Sequence, residues 1–241
     1  MADLRVAIPA VRDAVVAVLA IRPSQPGQFQ CSWGTAFCVV ADRYLITAFH
    51  VLNGGQPRDP AIKHYALVVP GNGNPFFYFP VIGFPVERPE LDLAVLEIGP
   101  CSDASVHLPA LPIAFGPMPD GTQVLTVGFP APEIAGLNAD ADGTFRGGQF
   151  FLKSHANHGI VAAQYVLGAN LSVYELNVGW HHGESGGPIA TLSDRPAAFS
   201  VMQQYRNTQG PNGPLPGPRR GVALSTIRTE LEALGVVAAI A

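Results

Sequence analysis

Charge is scarce in this sequence: 13% of its 241 residues are Asp, Glu, Lys or Arg, about half the usual fraction. Fourteen basic and eighteen acidic residues leave a net charge of −4, and the only adjacent basic pair is Arg219-Arg220. That excludes a nucleic-acid footprint and a polybasic membrane patch. Long apolar runs are missing too. The longest near the N-terminus, Ala14 to Ile21, falls far short of the roughly 18 residues of a membrane span. Asp3 and Asp13 stand where a signal peptide would carry its basic region. The chain therefore reads as cytoplasmic, unless a signal has been removed, with neither nucleic acid nor membrane as partner. Cysteine is rare: Cys31, Cys38 and Cys101 cannot all pair, and on one strand Cys31 and Cys38 would face opposite sides. Three buried thiols in a reducing compartment are expected.

What is present points to strands. Hydrophobic residues make up 48% of the chain, with 26 Gly and 23 Pro, the mark of many short strands joined by tight turns. In the first half, 35–40, 44–47, 65–69, 76–84 and 93–98 read as strands, and 11–21 ends as one. In the second half, 123–128, 149–154, 159–166, 173–178, 188–192, 197–203 and 221–224 repeat the pattern. The Pro-punctuated stretch from Leu108 to Pro119 reads as the connection. Ser225 caps an expected helix over 226–234, with Gly235 as its stop. The expected architecture is all-β: two six-stranded antiparallel barrels, 1–107 and 108–241, with a C-terminal helix.

Three segments carry the chemistry. The first is Gly34-Thr-Ala-Phe-Cys-Val-Val with Tyr44-Leu-Ile-Thr-Ala-Phe-His50-Val-Leu; the second is Leu91-Asp92-Leu-Ala-Val-Leu; the third is Gly183-Glu184-Ser185-Gly186-Gly187-Pro188. Together, in the order His, Asp, Ser, they resemble the chymotrypsin-fold (trypsin-like) serine peptidases, nearest to the bacterial HtrA (Deg) protease domain. Gly159-Ile-Val-Ala-Ala is similar to the strand that opens the second barrel's cleft in that branch.

The resemblance implies a serine endopeptidase. A serine hydroxyl is too weak an acid to attack an amide unaided. His50 would take the Ser185 proton and return it to the leaving amine, and Asp92 would hold the His50 tautomer. The backbone N–H groups of Gly183 and Ser185 would form the oxyanion hole. The family pattern places the base of the S1 pocket at Gly179, its wall on Ser200, Val201, Met202 and Gln203, and His182 along the cleft. An uncharged base disfavours Lys and Arg at P1, because a buried cation would go unpaired. Glu184 departs from the family's Asp or Asn, and no Ile-Val-Gly-Gly segment exists to pair with it after processing. Pocket formation is therefore expected to rely on internal contacts or a partner domain.

Taken singly, each motif has a plainer reading as a core histidine, a turn-capping aspartate or a glycine-rich loop. Asn138 to Gly143 partly imitates a calcium loop but lacks its bidentate Glu. The histidines 155, 158, 181 and 182 lack helical ligand spacing, so no metal and no cofactor are expected. Pro211 to Pro218 reads as a rigid loop rather than a polyproline ligand. The expected partner is a protein or peptide substrate, with room for a regulatory protein or fused domain, and the resemblance to HtrA is expected to stop at the protease domain. The alternative is a catalytically silent fold acting as a binding or signalling module.

Overall fold

The computed structural model describes residues 3–25, 27–69, 76–130, 132–167, 171–179, 181–205, 208–210, 213–215 and 218–239. Trp180 and part of the 211–218 stretch lie outside them. The chain opens with a helix that the sequence reading did not contain, α1 (Leu4–Arg12). Asp3 caps it by accepting the Arg5 N–H at 2.9 Å, and Ala7 and Val11 are buried one turn apart on its inner face. Pro9 within it masks the pattern, because proline removes a backbone donor.

Six strands then form the first closed barrel: β1 (Val15–Pro23), β2 (Phe29–Val40), β3 (Tyr44–Thr47), β4 (Lys63–Val68), β5 (Phe77–Arg88) and β6 (Leu93–Ile98). A short helix α2 (His50–Asn53) interrupts β3 and β4. The strand order around this barrel is β1-β2-β3-β6-β5-β4.

The second half contains β7 (Gln123–Gly128), β8 (Glu133–Ala139), β9 (Phe145–Phe151), β10 (His155–Leu167), β11 (Leu171–Asn177), β12 (Pro188–Thr191) and β13 (Ala198–Tyr205). It continues with the small hairpin β14 (Thr208–Gly210) and β15 (Gly213–Leu215), then β16 (Arg219–Ala223). The barrel strands run β7-β10-β11-β16-β13-β12, the same cyclic order as in the first barrel. The halves thus share a topology that their residues do not advertise.

The β8–β9 hairpin stands outside the second barrel and lies on the first. Phe145 packs on Tyr65 and Tyr78 with ring centroids 5.3 and 5.0 Å apart, and its N–H donates to the Tyr65 hydroxyl at 2.9 Å. Phe150 meets Trp33 edge-on at 5.5 Å. Helix α1 reaches across in the other direction and packs against β7. Both barrels are therefore tied together at their flanks.

After β16 the chain forms a 3-10 turn (Leu224–Ile227) and then α3 (Arg228–Ala233), so the α-helix begins later than Ser225 suggests. Gly235, at φ +86°, ends it as expected. All three cysteines are free thiols; Cys38 is buried, but Cys31 and Cys101 are only half-buried. Burial pushes the Cys38 thiol up to about 12. Among the described residues no helix is long and apolar enough to cross a membrane.

Candidate active site

β3 delivers His50. Its interior run Tyr44-Leu-Ile-Thr is buried throughout, and the chain turns into α2 at His50. Gly34 on β2 lets α2 come this close, since a Cβ there would collide with the Val51 side chain. From below, His64 on β4 supports the helix: its Nε2–H donates to the Leu52 carbonyl at 2.8 Å. Burial lowers the His64 pKa, so this ring is neutral at pH 7. The sequence reading passed His64 over, because a lone histidine on an apolar strand carries no pattern.

Asp92 meets His50 through two bonds. The His50 main-chain N–H donates to Asp92 Oδ1 and the ring Nδ1 lies 2.8 Å from Oδ2, the former also at 2.8 Å. A carboxylate oxygen only accepts, so Nδ1 carries the proton and Nε2 of the neutral ring keeps its lone pair. Asp92 adopts φ +52°, a left-handed conformation rare outside glycine. Three main-chain contacts hold it there. Its N–H closes the preceding turn onto Pro89 O at 3.1 Å, and its carbonyl accepts the Phe49 N–H at 3.1 Å. The Gln203 amide, reaching over from β13, donates to Asp92 O at 3.3 Å and to Leu91 O at 2.6 Å. Strain held in place by surrounding contacts is typical of functional positions.

Ser185 sits in the loop between β11 and β12, 7% exposed. Gly186 has φ +87°, and a Cβ on it would strike the Thr35 carbonyl and the Thr47 hydroxyl. Only glycine fits there. Gly186 N–H donates to Met202 O at 2.8 Å, and Met202 N–H returns a bond to Gly187 O at 2.9 Å. These two bonds clamp the loop onto β13.

One residue ties this loop to the first barrel. Thr35, fully buried on β2, donates its N–H to Ser185 O at 2.8 Å and its hydroxyl to Gly183 O at 2.7 Å. The same hydroxyl accepts the Phe129 N–H at 3.0 Å, while Thr35 O accepts the Thr47 hydroxyl at 2.7 Å. Both barrels and the serine loop converge on one side chain. The sequence offered only the Thr of Gly34-Thr35-Ala36 as a signal.

Glu184 is 4% exposed. Its carboxylate accepts the His181 N–H at 2.8 Å and the Asn157 side-chain amide at 3.2 Å. Burial raises its pKa, partly offset by these donors. The Glu184 carboxylate is thus held by Asn157 and the His181 amide. Asn157 also borders Gly179, where a Cβ would stand 2.9 Å from its Oδ1. Gly179, His181 and His182 are exposed beside this loop.

Most of the expected pocket wall is deeply buried. Ser200 and Val201 are fully buried and Met202 is 2% exposed. β13 is hydrogen-bonded along its edges to β12 and β16. Ser200 donates to Val222 O at 2.9 Å instead of facing a cleft. Of the four residues only Gln203 is partly exposed, and it backs Asp92.

The calcium-like loop at the tip of the β8–β9 hairpin spends its carboxylates internally. Asp140 accepts from Arg146 at 2.6 Å, and Asp142 accepts the Thr144 hydroxyl at 2.9 Å. His155 and His181 stack edge-on at 6.2 Å. No group of three metal-ligating side chains occurs among the described residues.

The chain is similar to solved structures of the HtrA-type protease AlgW with a tripeptide and of a substituted form of that protease, also with a tripeptide. Each is 18% identical, with a TM-score of 0.65 over 98% of this chain and 65% of the other. At that identity the likeness concerns the fold: a chymotrypsin-like pair of barrels. No curated protein matches the sequence. Residues 34–195, which hold His50, Asp92 and Ser185, match the trypsin-like peptidase domain. With more than half its length so matched, the chain belongs to the trypsin-like peptidase domain family.

Proposed function

We propose that this peptidase-family chain is a serine endopeptidase that cleaves peptide bonds through an acyl-enzyme on Ser185. The observation that carries the reading is the His50 Nδ1 to Asp92 Oδ2 contact at 2.8 Å, in the strained turn that fixes it. This pairing leaves His50 Nε2 as a base. Nε2 accepts the Ser185 hydroxyl proton as Oγ bonds to the scissile carbonyl carbon, and the carbonyl π electrons move to oxygen. The imidazolium then protonates the leaving amine as the C–N bond breaks, and water reverses the sequence to release the acid. Asp92 stabilises the imidazolium while remaining ionised. The N–H groups of Gly183 and Ser185 are assigned to the oxyanion, a role worth about 3–4 kcal/mol per donor.

At P1 the reading favours small or medium uncharged side chains. Gly179 at the assigned base brings no charge, and the neighbouring Asn157 Oδ1 is a neutral acceptor. Glu184 is turned inward onto the His181 amide, so it does not offer a counter-ion. A cation at P1 would lose its hydration unpaired, at a cost of several kcal/mol. Digestion of a peptide library, read by mass spectrometry with Ser185→Ala as control, tests this. Cuts after small uncharged residues, absent with Ser185→Ala, are expected; a majority of cuts after Lys or Arg would refute the pocket assignment.

A further inference from the structure

A cavity of about 640 Å3 lies at the barrel junction, and neither His50, Asp92 nor Ser185 lines it. It forms where the end of α1 and the start of β1 meet the end of β4 and the link from β9 to β10. That volume is in the range of small-ligand pockets, about 300–1,000 Å3. Its walls are largely apolar, with Val68, Phe129 and Leu152 among them. Two cations interrupt them: Arg12 and Lys153.

Arg12 has no carboxylate partner among the described residues. Eight other arginines among the described residues reach a carboxylate oxygen within 4.0 Å. Arg12 does not, and its Nε, like that of Arg220, is shut off from solvent without a hydrogen-bond partner. The neighbouring groups do not supply the acceptor. Asp13, the one carboxylate on the lining, is exposed and forms no ion pair with Arg12 among the described residues. The His107 ring is committed to Asp42 at 2.9 Å. A guanidinium that meets no carboxylate beside a cavity is matched by an anionic acceptor within it, and its terminal N–H fork suits a carboxylate. Asp13 nearby disfavours a dianion, and the apolar walls favour a ligand with a hydrocarbon body.

We propose that this cavity binds a small monocarboxylate with an apolar body, its carboxylate held by Arg12 and Lys153. The site is wired to the serine loop. Phe129 lines the cavity, and its N–H donates to the Thr35 hydroxyl, which in turn holds Gly183 O. A ligand packed on Phe129 therefore bears on the loop that carries Ser185, whatever that loop catalyses.

Isothermal titration calorimetry with octanoate tests the site. Octanoate should bind the parent protein at submillimolar concentration, and octanamide should not. Arg12→Gln should weaken octanoate at least tenfold, Lys153→Gln by less, and Arg12→Lys, which keeps charge but loses the fork, should fall between. Unchanged melting of each variant separates lost binding from lost fold. N-acetyl-Val-Leu against its amide distinguishes a peptide C-terminus from an alkanoate as the source of the carboxylate. No binding of either acid, equal binding of octanamide, or an Arg12→Gln protein that binds as the parent does would overturn the proposal. Hydrogen exchange at the Phe129 amide should slow on binding; unchanged exchange in a saturated protein would overturn the coupling.

Discussion

Thr35→Val is the most revealing single substitution, because it keeps the side chain's shape and removes one hydroxyl. That hydroxyl donates to Gly183 O at 2.7 Å and accepts from Phe129 N–H at 3.0 Å. Phe129 is 4% exposed and Thr35 fully buried, so water cannot readily replace the lost partner at the Phe129 amide. Leaving a buried polar group unpaired costs about 1–3 kcal/mol. Two such groups, one of them on a half-buried glycine, give about 2–4 kcal/mol of destabilisation. For a chain of this size that is a fall in melting temperature of roughly 5–15 °C. The kinetic effect enters through Gly183, whose carbonyl loses its anchor beside the assigned oxyanion donor. Losing an oxyanion donor outright costs about a hundredfold to a thousandfold in kcat. A loosened donor should cost about tenfold to a hundredfold, with KM little changed, because the interaction matters only when charge develops. Thr35→Ser, which restores the hydroxyl, should recover most of kcat. Steady-state kinetics on a peptide substrate, with melting by circular dichroism, reads both effects. A Thr35→Val protein with parental kcat and melting temperature would refute the strut, and a Thr35→Ser protein as impaired as Thr35→Val would refute the role of the hydroxyl.

Two further substitutions probe the same centre. Asp92→Asn should lower kcat by about ten-thousandfold at pH 7, because the amide no longer selects the Nδ1–H tautomer; a loss under tenfold in stopped-flow or discontinuous assays would contradict that role. Glu184→Gln tests the buried carboxylate. Its pKa is raised by burial, so the folded state holds this proton more tightly than the unfolded state, and the group's contribution to stability is lost as pH rises from its ordinary value of 4.5 through the raised folded value. Glu184→Gln should therefore flatten the melting-temperature profile between those two values and match or exceed the parent at pH 7, and a parent that gains stability over that range relative to the variant would show the burial argument wrong.

The barrels were legible where strands alternate or run apolar between Gly and Pro clusters. β3, β6 and β7 fall on their expected bounds. α1 was not, since Pro9 sits in a helix whose cap and buried Ala7 and Val11 are its only other marks. β8 was not, because most of its residues are exposed or only partly buried and its pairing is broken by two register shifts. Within the site, His50, Asp92 and Ser185 were legible from short motifs. The supports were not: Thr35 and Gly183 are 148 positions apart, and Asn157 and Glu184 are 27 apart. Such pairs leave no local pattern. The burial of the expected pocket wall was illegible for a different reason. Ala197 to Met202 is nearly continuous in apolar residues, and such a run does not reveal which side chains face a cleft. Packing of the strand's two faces decides that, with Val201 and Met202 in separate core clusters and Ser200 buried as well.

The central claim is that Ser185 is a nucleophile activated by His50, and intact mass spectrometry after treatment with a fluorophosphonate measures this most directly. The account predicts one adduct per chain, mapped to Ser185, formed in the parent and lost in both Ser185→Ala and His50→Ala. A folded parent protein that takes up no label, or a label that persists in Ser185→Ala, would contradict it.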